Sequence, residues 1–275
     1  MRQVAVTPAN FHQTVGPALE RDPVMNQVPL GVFEQWRAEP GRYQGEPRLL
    51  AMQSEETGEI GLAMQTLPHK VLVSACSEIM ATELGHAFTL RYPDARSVFG
   101  RLDAAWAFSR GAGAAQPKVI TKDAVFELRT VRSSRVVPGQ ARPAVSADGQ
   151  MLQAWLEAFN TEALPAGWPK DPKAGSRMAE SGRAWIWVNA HGVPVSLVNN
   201  PRRVSGWWAI AYVFTLPGQR GKGFAGALVS HVSELALASG AAGCTLFTDL
   251  MNPISNHVYE RIGYRRVGEF TSLEW

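Results

Sequence analysis

The segment VFTLPGQRGKGFAGALVSHVSE, residues 213–234, gathers the residues best suited to chemistry. The apolar run WWAIAYVFT (207–215) reads as a buried central strand. It passes into Pro217-Gly218-Gln219-Arg220-Gly221-Lys222-Gly223-Phe224-Ala225, where a helix begins and runs to about Ser239. Glycines let a backbone approach a ligand closely. The first amides of a helix have no internal partners and sit at the positive end of its dipole. Such a place takes an anion, phosphate above all, and Arg220 and Lys222 add charge to it.

Three phosphate loops compete for this pattern. A Walker A loop requires Gly-Lys-Ser/Thr, but Gly223 follows Lys222. Gly221, Gly223 and Gly226 match G-x-G-x-x-G, and Asp249 ends the next strand as a ribose-binding acid would. In a dinucleotide fold, however, the first glycine follows the strand almost directly, whereas Thr215–Arg220 intervene here. The third pattern is Arg-x-x-Gly-x-Ala, met by Arg220, Gly223 and Ala225.

A second constellation lies downstream, in TDLMNPISNHVYERIGY (248–264). Asn252 and Pro253 form an N-cap and first-turn pair, and Gly263 ends the helix. Ser255, Asn256 and Tyr259 follow Asn252 at i+3, i+4 and i+7, so one helix face carries three polar side chains and a phenol.

Together, the two segments resemble the GNAT acyltransferases, specifically a bacterial subgroup with a distinct N-terminal half. The resemblance is strong over about 193–270 and weak over 1–140. It implies an N-acetyltransferase that uses acetyl-CoA as co-substrate and passes the acyl group directly to a primary amine. By that resemblance, Gln219, Arg220, Gly221, Lys222, Gly223, Phe224 and Ala225 cradle the pyrophosphate, while the backbone of Val213, Phe214 and Thr215 holds the pantetheine. Asn252, with Ser255 and Asn256 on its face, meets the pantetheine arm, and Tyr259 lies beside the thioester sulfur as hydrogen-bond donor or acid.

An amine nucleophile must be neutral, and lysine-like amines have pKa values near 10.4, so a base or a desolvating site is needed. The central strand offers no carboxylate. Asp249 is the best-placed acid, with a helix cap or a structural bond to the following loop as its competing roles and a water relay as the other route for the proton. Cys244 sits mid-strand among apolar residues and reads as core. Seven tryptophans (155, 168, 185, 187, 207, 208 and 275) lie in the C-terminal half; Trp185 and Trp187 share a strand face, where core packing outweighs a pocket role. A non-catalytic acyl-CoA sensor or interaction scaffold on the same fold is the alternative function.

The elements that position these residues spell an α/β (α+β) GNAT fold, a mixed central sheet flanked by helices. In the N-terminal half we read a helix over Pro17–Ala38, strands at Arg48–Gln53, Gly61–Thr66 and Lys70–Cys76, and a helix over Ser77–Arg91. A strand at Ser97–Phe99, a helix over Leu102–Arg110 and a strand over 124–131 follow. Residues 136–149, rich in Pro, Gly and small polar residues, read as a linker. Beyond it stand a helix over Gln150–Ala163, strands at 184–189 and 193–199 flanking a hairpin turn, and the two motifs with a last strand at 264–270. Both halves repeat helix, strands, helix, strand, helix, strand. We therefore expect a degenerate GNAT-like domain over 1–138 and a catalytic domain over 139–275. After VLVSAC the N-terminal half supplies Ser77 and Glu78 instead of glycines and cations, so it should bind no CoA of its own.

Composition narrows the remaining choices. The 275 residues are 45% hydrophobic and 19% charged with net charge +3, an ordinary globular balance too weakly basic for nucleic acid. Two cysteines favour a reducing, cytoplasmic setting, and six scattered histidines argue against a metal. No leader or membrane-spanning run is read. The partner expected is a small-molecule or protein amine, with a homodimer left open.

Overall fold

The computed structural model describes residues 1–132, 136–164 and 171–275; Trp168 lies outside the described residues. Two compact units emerge. The first comprises Met1–Val125, Asp249–Met251 and Val267–Trp275, and the second Phe126–Thr248 and Asn252–Arg266. The boundary read from sequence, at 138, falls inside the second unit.

The first unit contains β1 (Arg2–Val4), α1 (Phe11–Thr14), α2 (Gly16–Leu19), α3 (Gln27–Ala38), β2 (Arg48–Gln53) and β3 (Ile60–Gln65). It continues with β4 (Val71–Val73), α4 (Glu78–Arg91), β5 (Ser97–Arg101), α5 (Leu102–Gly111) and most of β6 (Lys118–Leu128). Strands β2, β3 and β4 are antiparallel neighbours, whereas β4 and β5 run parallel. Met80, Leu84 and Phe88 recur at four-residue spacing on α4 and meet Phe108 of α5 in the core. The two helices approach so closely that a Cβ on Gly85 would lie 2.1 Å from the Phe108 carbonyl oxygen.

The second unit holds β7 (Gln140–Pro143), α6 (Gly149–Ala163), α7 (Ala174–Glu180), β8 (Ala184–Val188), β9 (Pro194–Val204), β10 (Trp207–Thr215), α8 (Phe224–Ala238), β11 (Gly243–Asp249) and α9 (Pro253–Ile262). Its strand order is β11-β10-β9-β8-β7. Strands β8, β9 and β10 are antiparallel neighbours, and β10 runs parallel to β11. Both units thus share the order of three antiparallel strands, a helix and a parallel strand. The last strand, β12 (Arg265–Glu274), pairs antiparallel with β5 and belongs largely to the first unit.

Three sequence expectations change. The helix read over Pro17–Ala38 is broken between Leu19 and Gln27, where Pro23 disfavours helical backbone at Asp22 and the Asp22 carboxylate instead accepts from Met25 N. The linker at 136–149 contains β7, which pairs with β8 at the edge of the sheet, where proline is tolerated. Here Arg142 grips Asp148 through two hydrogen bonds of 2.7 Å. Strand β6 begins at Lys118 rather than 124, its polar, half-exposed start masking the alternation.

Candidate active site

Strand β10 carries the site's backbone. Its ladder with β11 covers Trp207–Ile210 against Gly243–Leu246 and goes no further. The register with β9 shifts on both sides of Ala211, and Tyr212 adopts φ +50°. A non-glycine residue at that angle marks a bulge that re-aims the strand. The edge of β10 over Ala211–Thr215, which includes the expected Val213, Phe214 and Thr215, is therefore free of strand partners on the β11 side.

Beyond β10, Pro217–Gln219 form a single 3-10 turn, and Gly221 and Gly223 take φ +76° and +89°. Gly223 is the N-cap of α8 and offers no capping side chain. The amides of Phe224, Ala225 and Gly226 consequently have no acceptor among the described residues. A Cβ at Gly221 would meet nothing within 4 Å, so the loop mouth is open. Arg220 turns aside: its NH2 bonds Glu162 Oε2 at 2.6 Å and its Nε bonds the Thr215 carbonyl at 3.0 Å. Lys222 Nζ rests on Gln219 Oε1 at 2.9 Å. These are exposed contacts, of the kind worth only about 0–1 kcal/mol, and an incoming anion can outcompete them.

On α9 the polar face descends into the protein. Asn252 is exposed, Ser255 and Asn256 are half-buried, and Tyr259 is buried. Asn252 Oδ1 caps the helix by accepting from Ser255 N at 3.1 Å, leaving its Nδ2 without a partner among the described residues. Tyr259 packs between Phe126 and Tyr264, and its Oη likewise has no partner there. Burial raises its pKa, so the phenol keeps its proton and has a hydrogen to donate. Tyr264 behaves differently: its Oη pairs with Ser233 Oγ at 2.9 Å, fully inside the core. Cys244 is buried beside that pair and its thiol is pushed up to about 11, an inert core group.

Asp249 Oδ1 accepts from Met251 N at 2.8 Å and braces the turn into α9, leaving Oδ2 without a partner among the described residues. A residue that sequence reasoning missed stands near it. Asp123 on β6 accepts from Thr121 Oγ1 at 3.0 Å, and burial followed by the charge of Asp249 raises its pKa. No local pattern announces it, because Asp123 and Asp249 are 126 positions apart in sequence. A carboxyl whose folded pKa is raised favours the fold at pH below its unfolded value, about 3.9, and loses that contribution as pH rises through the folded value. Asp123→Asn should therefore raise the melting temperature by about 2–4 °C at pH 7.5 and leave it unchanged near pH 3.5. Scanning calorimetry at both pH values checks this.

Trp185 and Trp187 serve packing. Trp185 meets His231 of α8 edge-on, and Trp187 Nε1 donates to the Pro138 carbonyl at 3.3 Å. In the first unit, the place equivalent to the glycine loop is filled from within. Glu59 Oε1 accepts from Ser77 N at 2.7 Å and Oε2 from Ser77 Oγ at 2.6 Å, while Ser77 Oγ accepts from Met80 N. A carboxylate of the chain itself thus sits where an anion would dock on α4.

Residues 150–264 match the acetyltransferase (GNAT) family. This segment is a GNAT acetyltransferase domain, and the chain that carries it is an acyltransferase. A GCN5-related N-acetyltransferase from Sphaerobacter thermophilus superposes with a TM-score of 0.66 at 16% identity, covering 100% of this chain and 95% of the other. An acetyltransferase of the GNAT family from Colwellia psychrerythraea gives 0.59 at 10% identity with both chains fully covered. A tandem GNAT protein from the clavulanic acid biosynthesis pathway gives 0.54 at 13% identity, with coverage of 99% and 97%. These likenesses establish the fold, including its two-half architecture. No curated protein matches the chain in sequence. Among the described residues no helix is long and apolar enough to cross a membrane, and no cluster of His, Cys, Asp or Glu is arranged to hold a metal.

Proposed function

We propose that this protein transfers an acetyl group from acetyl-CoA directly to a primary amine, with the chemistry carried by residues 139–275 and residues 1–138 serving as a degenerate GNAT-like half without a CoA site. The observation that carries this reading is the splayed edge of β10 leading into a glycine loop whose first three helix amides lack acceptors. That arrangement fits the pantetheine and pyrophosphate of a CoA ester. Bound acetyl-CoA supplies an activated acyl carbon and a thiolate leaving group.

The protein's own residues do the rest. Amides of Phe224, Ala225 and Gly226 bind the pyrophosphate, joined by Arg220 and Lys222 once they leave their surface partners. The free edge of β10 at Val213–Thr215 orients the pantetheine, and Asn252 Nδ2 donates to it. Net transfer moves one proton from the attacking nitrogen to the departing sulfur. Tyr259 Oη, kept protonated by burial, donates a hydrogen bond to that sulfur as charge develops. Asp249 Oδ2 takes the proton from the nitrogen and gives it up to water, from which the released thiolate is protonated. The acceptor amine is that of a small molecule or a protein, and a reducing cytoplasm suits both free cysteines.

A second reading, a non-catalytic acyl-CoA sensor, gains weight from β10 carrying no carboxylate and from the turn-bracing bond of Asp249. Isothermal titration and amine-panel assays of free-thiol release separate the readings. We expect one acetyl-CoA per chain, no binding of NAD, and thiol release with at least one amine. Binding of NAD but not CoA overturns the CoA reading. Two CoA per chain overturns the closure of the α4 site by Glu59. CoA binding with no transfer to any amine leaves the sensor.

A further inference from the structure

One face of the second unit's sheet hides an amide oxygen that the fold leaves unserved. Across that face Ala184 of β8, Asn199 of β9 and Ala211 of β10 form a row. The neighbouring row is Ile186, Leu197 and Phe214, which packs into an apolar core with Leu152, Trp155 and Leu156 of α6. Strand alternation puts Asn199 on the same face as Leu197. Asn199 is only 6% exposed, yet its Oδ1 is buried with no hydrogen-bond partner. On α6, Asn160 follows Leu156 by one turn on the same helix face, and its Oδ1 is also buried and unpartnered.

Two buried carbonyl oxygens without donors are costly and rare in native proteins, and each calls for an explanation. Their surroundings point toward a ligand. The short side chains of Ala184 and Ala211 leave Asn199 without a neighbour in its row able to donate. The backbone beside it is bulged on both sides of Ala211, and the Tyr212 ring packs edge-on against Phe159 of α6. Bulges of this kind recur beside active sites. The strand that borders Asn199, β10, is the one whose opposite edge parts from β11 after Ile210. About one strand spacing, roughly 4.8 Å, separates the row of Asn199 from the backbone of that edge.

We infer that Asn199 and Asn160 read the acceptor, their Oδ1 atoms accepting from a substrate that carries a second N–H donor besides the nitrogen to be acetylated. The inference rests on the acetyltransferase reading above. It names a substrate class: diamines and other amines with a neighbouring N–H group, in preference to simple alkyl amines. Oxygen acceptors suit cationic or neutral N–H groups, and a second nitrogen held there leaves the first free to be acetylated.

The test compares the full chain with Asn199→Leu, which keeps the volume and removes both polar atoms. 1,4-Diaminobutane and n-butylamine are the probes, and thermal shift in the presence of CoA is the readout, so that no turnover is required. The wild type should be stabilised by the diamine at concentrations where butylamine has no effect. Asn199→Leu should hold or raise its own melting temperature, bind CoA normally, and need at least about tenfold more diamine for the same shift. Asn160→Leu should repeat the loss should the first variant fold poorly. Equal shifts with diamine and butylamine on the wild type, no diamine shift, or a diamine response unchanged in both variants overturns the inference. Failure of the wild type to bind CoA overturns instead the reading on which it rests, a distinct result.

Discussion

Tyr259→Phe should lower the acetyl-transfer rate by about 10²-fold, the order expected for loss of one positioned hydrogen-bond donor to a developing charge, while leaving the affinity for CoA close to that of the wild type. The packing makes this substitution unusually clean. The Tyr259 ring is held by Phe126 and Tyr264, which a phenylalanine ring satisfies equally. Its hydroxyl serves no protein group among the described residues, so removing it orphans nothing and the melting temperature should hold. The pH dependence follows from the same burial. A phenol whose pKa is raised stays protonated across the neutral range, so the wild-type rate should show no basic limb from this group. Model thiols ionise near 8.5, below Tyr259, so the phenol works by donating a hydrogen bond to the developing thiolate and need not surrender its proton. Rate and affinity are read by steady-state thiol release and calorimetry. Undiminished turnover in Tyr259→Phe would reduce the residue to a core aromatic.

The parts of this site legible in sequence are those built by short-range chemistry. The glycine loop and α9 each encode themselves within about ten residues: Gly223 as a left-handed cap, Asn252-Pro253 as a helix start, Gly263 as its end at φ +115°. What was illegible is non-local. The course of β12, which pairs with β5 across more than 160 positions of sequence, depends on sheet pairing that no periodicity reveals. Asp123 has its pKa raised first by burial and then by the charge of Asp249, neither of which exists before the chain folds. The orphaned oxygen of Asn199 exists only once β8, β10 and α6 surround it. The charges of Arg220 and Lys222 are legible as part of the loop, but the lean of Arg220 on Glu162 of α6 is a contact across 58 positions of sequence. Glu59, 18 positions before Ser77, gives the N-terminal helix start an internal anion, an outcome that the missing glycines and cations foreshadowed only as the lack of a site.

Glycine substitutions in the loop should grade the affinity for acetyl-CoA according to backbone angle, and Gly223→Val should have the largest effect. At φ +89° a β-branched side chain is strained whatever the space around it, and here its Cβ would also come within 3.2 Å of Val137 Cγ2. Strain of this kind amounts to about 1–3 kcal/mol. It is relieved by turning the residue out of the left-handed region, which rotates the amides of Phe224 and Ala225 away from a common anion. Affinity should fall by roughly 10–100-fold, with the rest of the fold intact. Gly221→Ala shares the positive angle, φ +76°, but meets no neighbour within 4 Å, so its loss should be smaller. Gly218→Ala lies outside the left-handed region and in open space, and should bind as the wild type does. Calorimetry on the three variants, with far-UV circular dichroism to confirm folding, gives the order. If Gly223→Val binds acetyl-CoA as tightly as Gly218→Ala, the amides at the start of α8 are not what holds the pyrophosphate, and the anion site must be sought elsewhere on the chain.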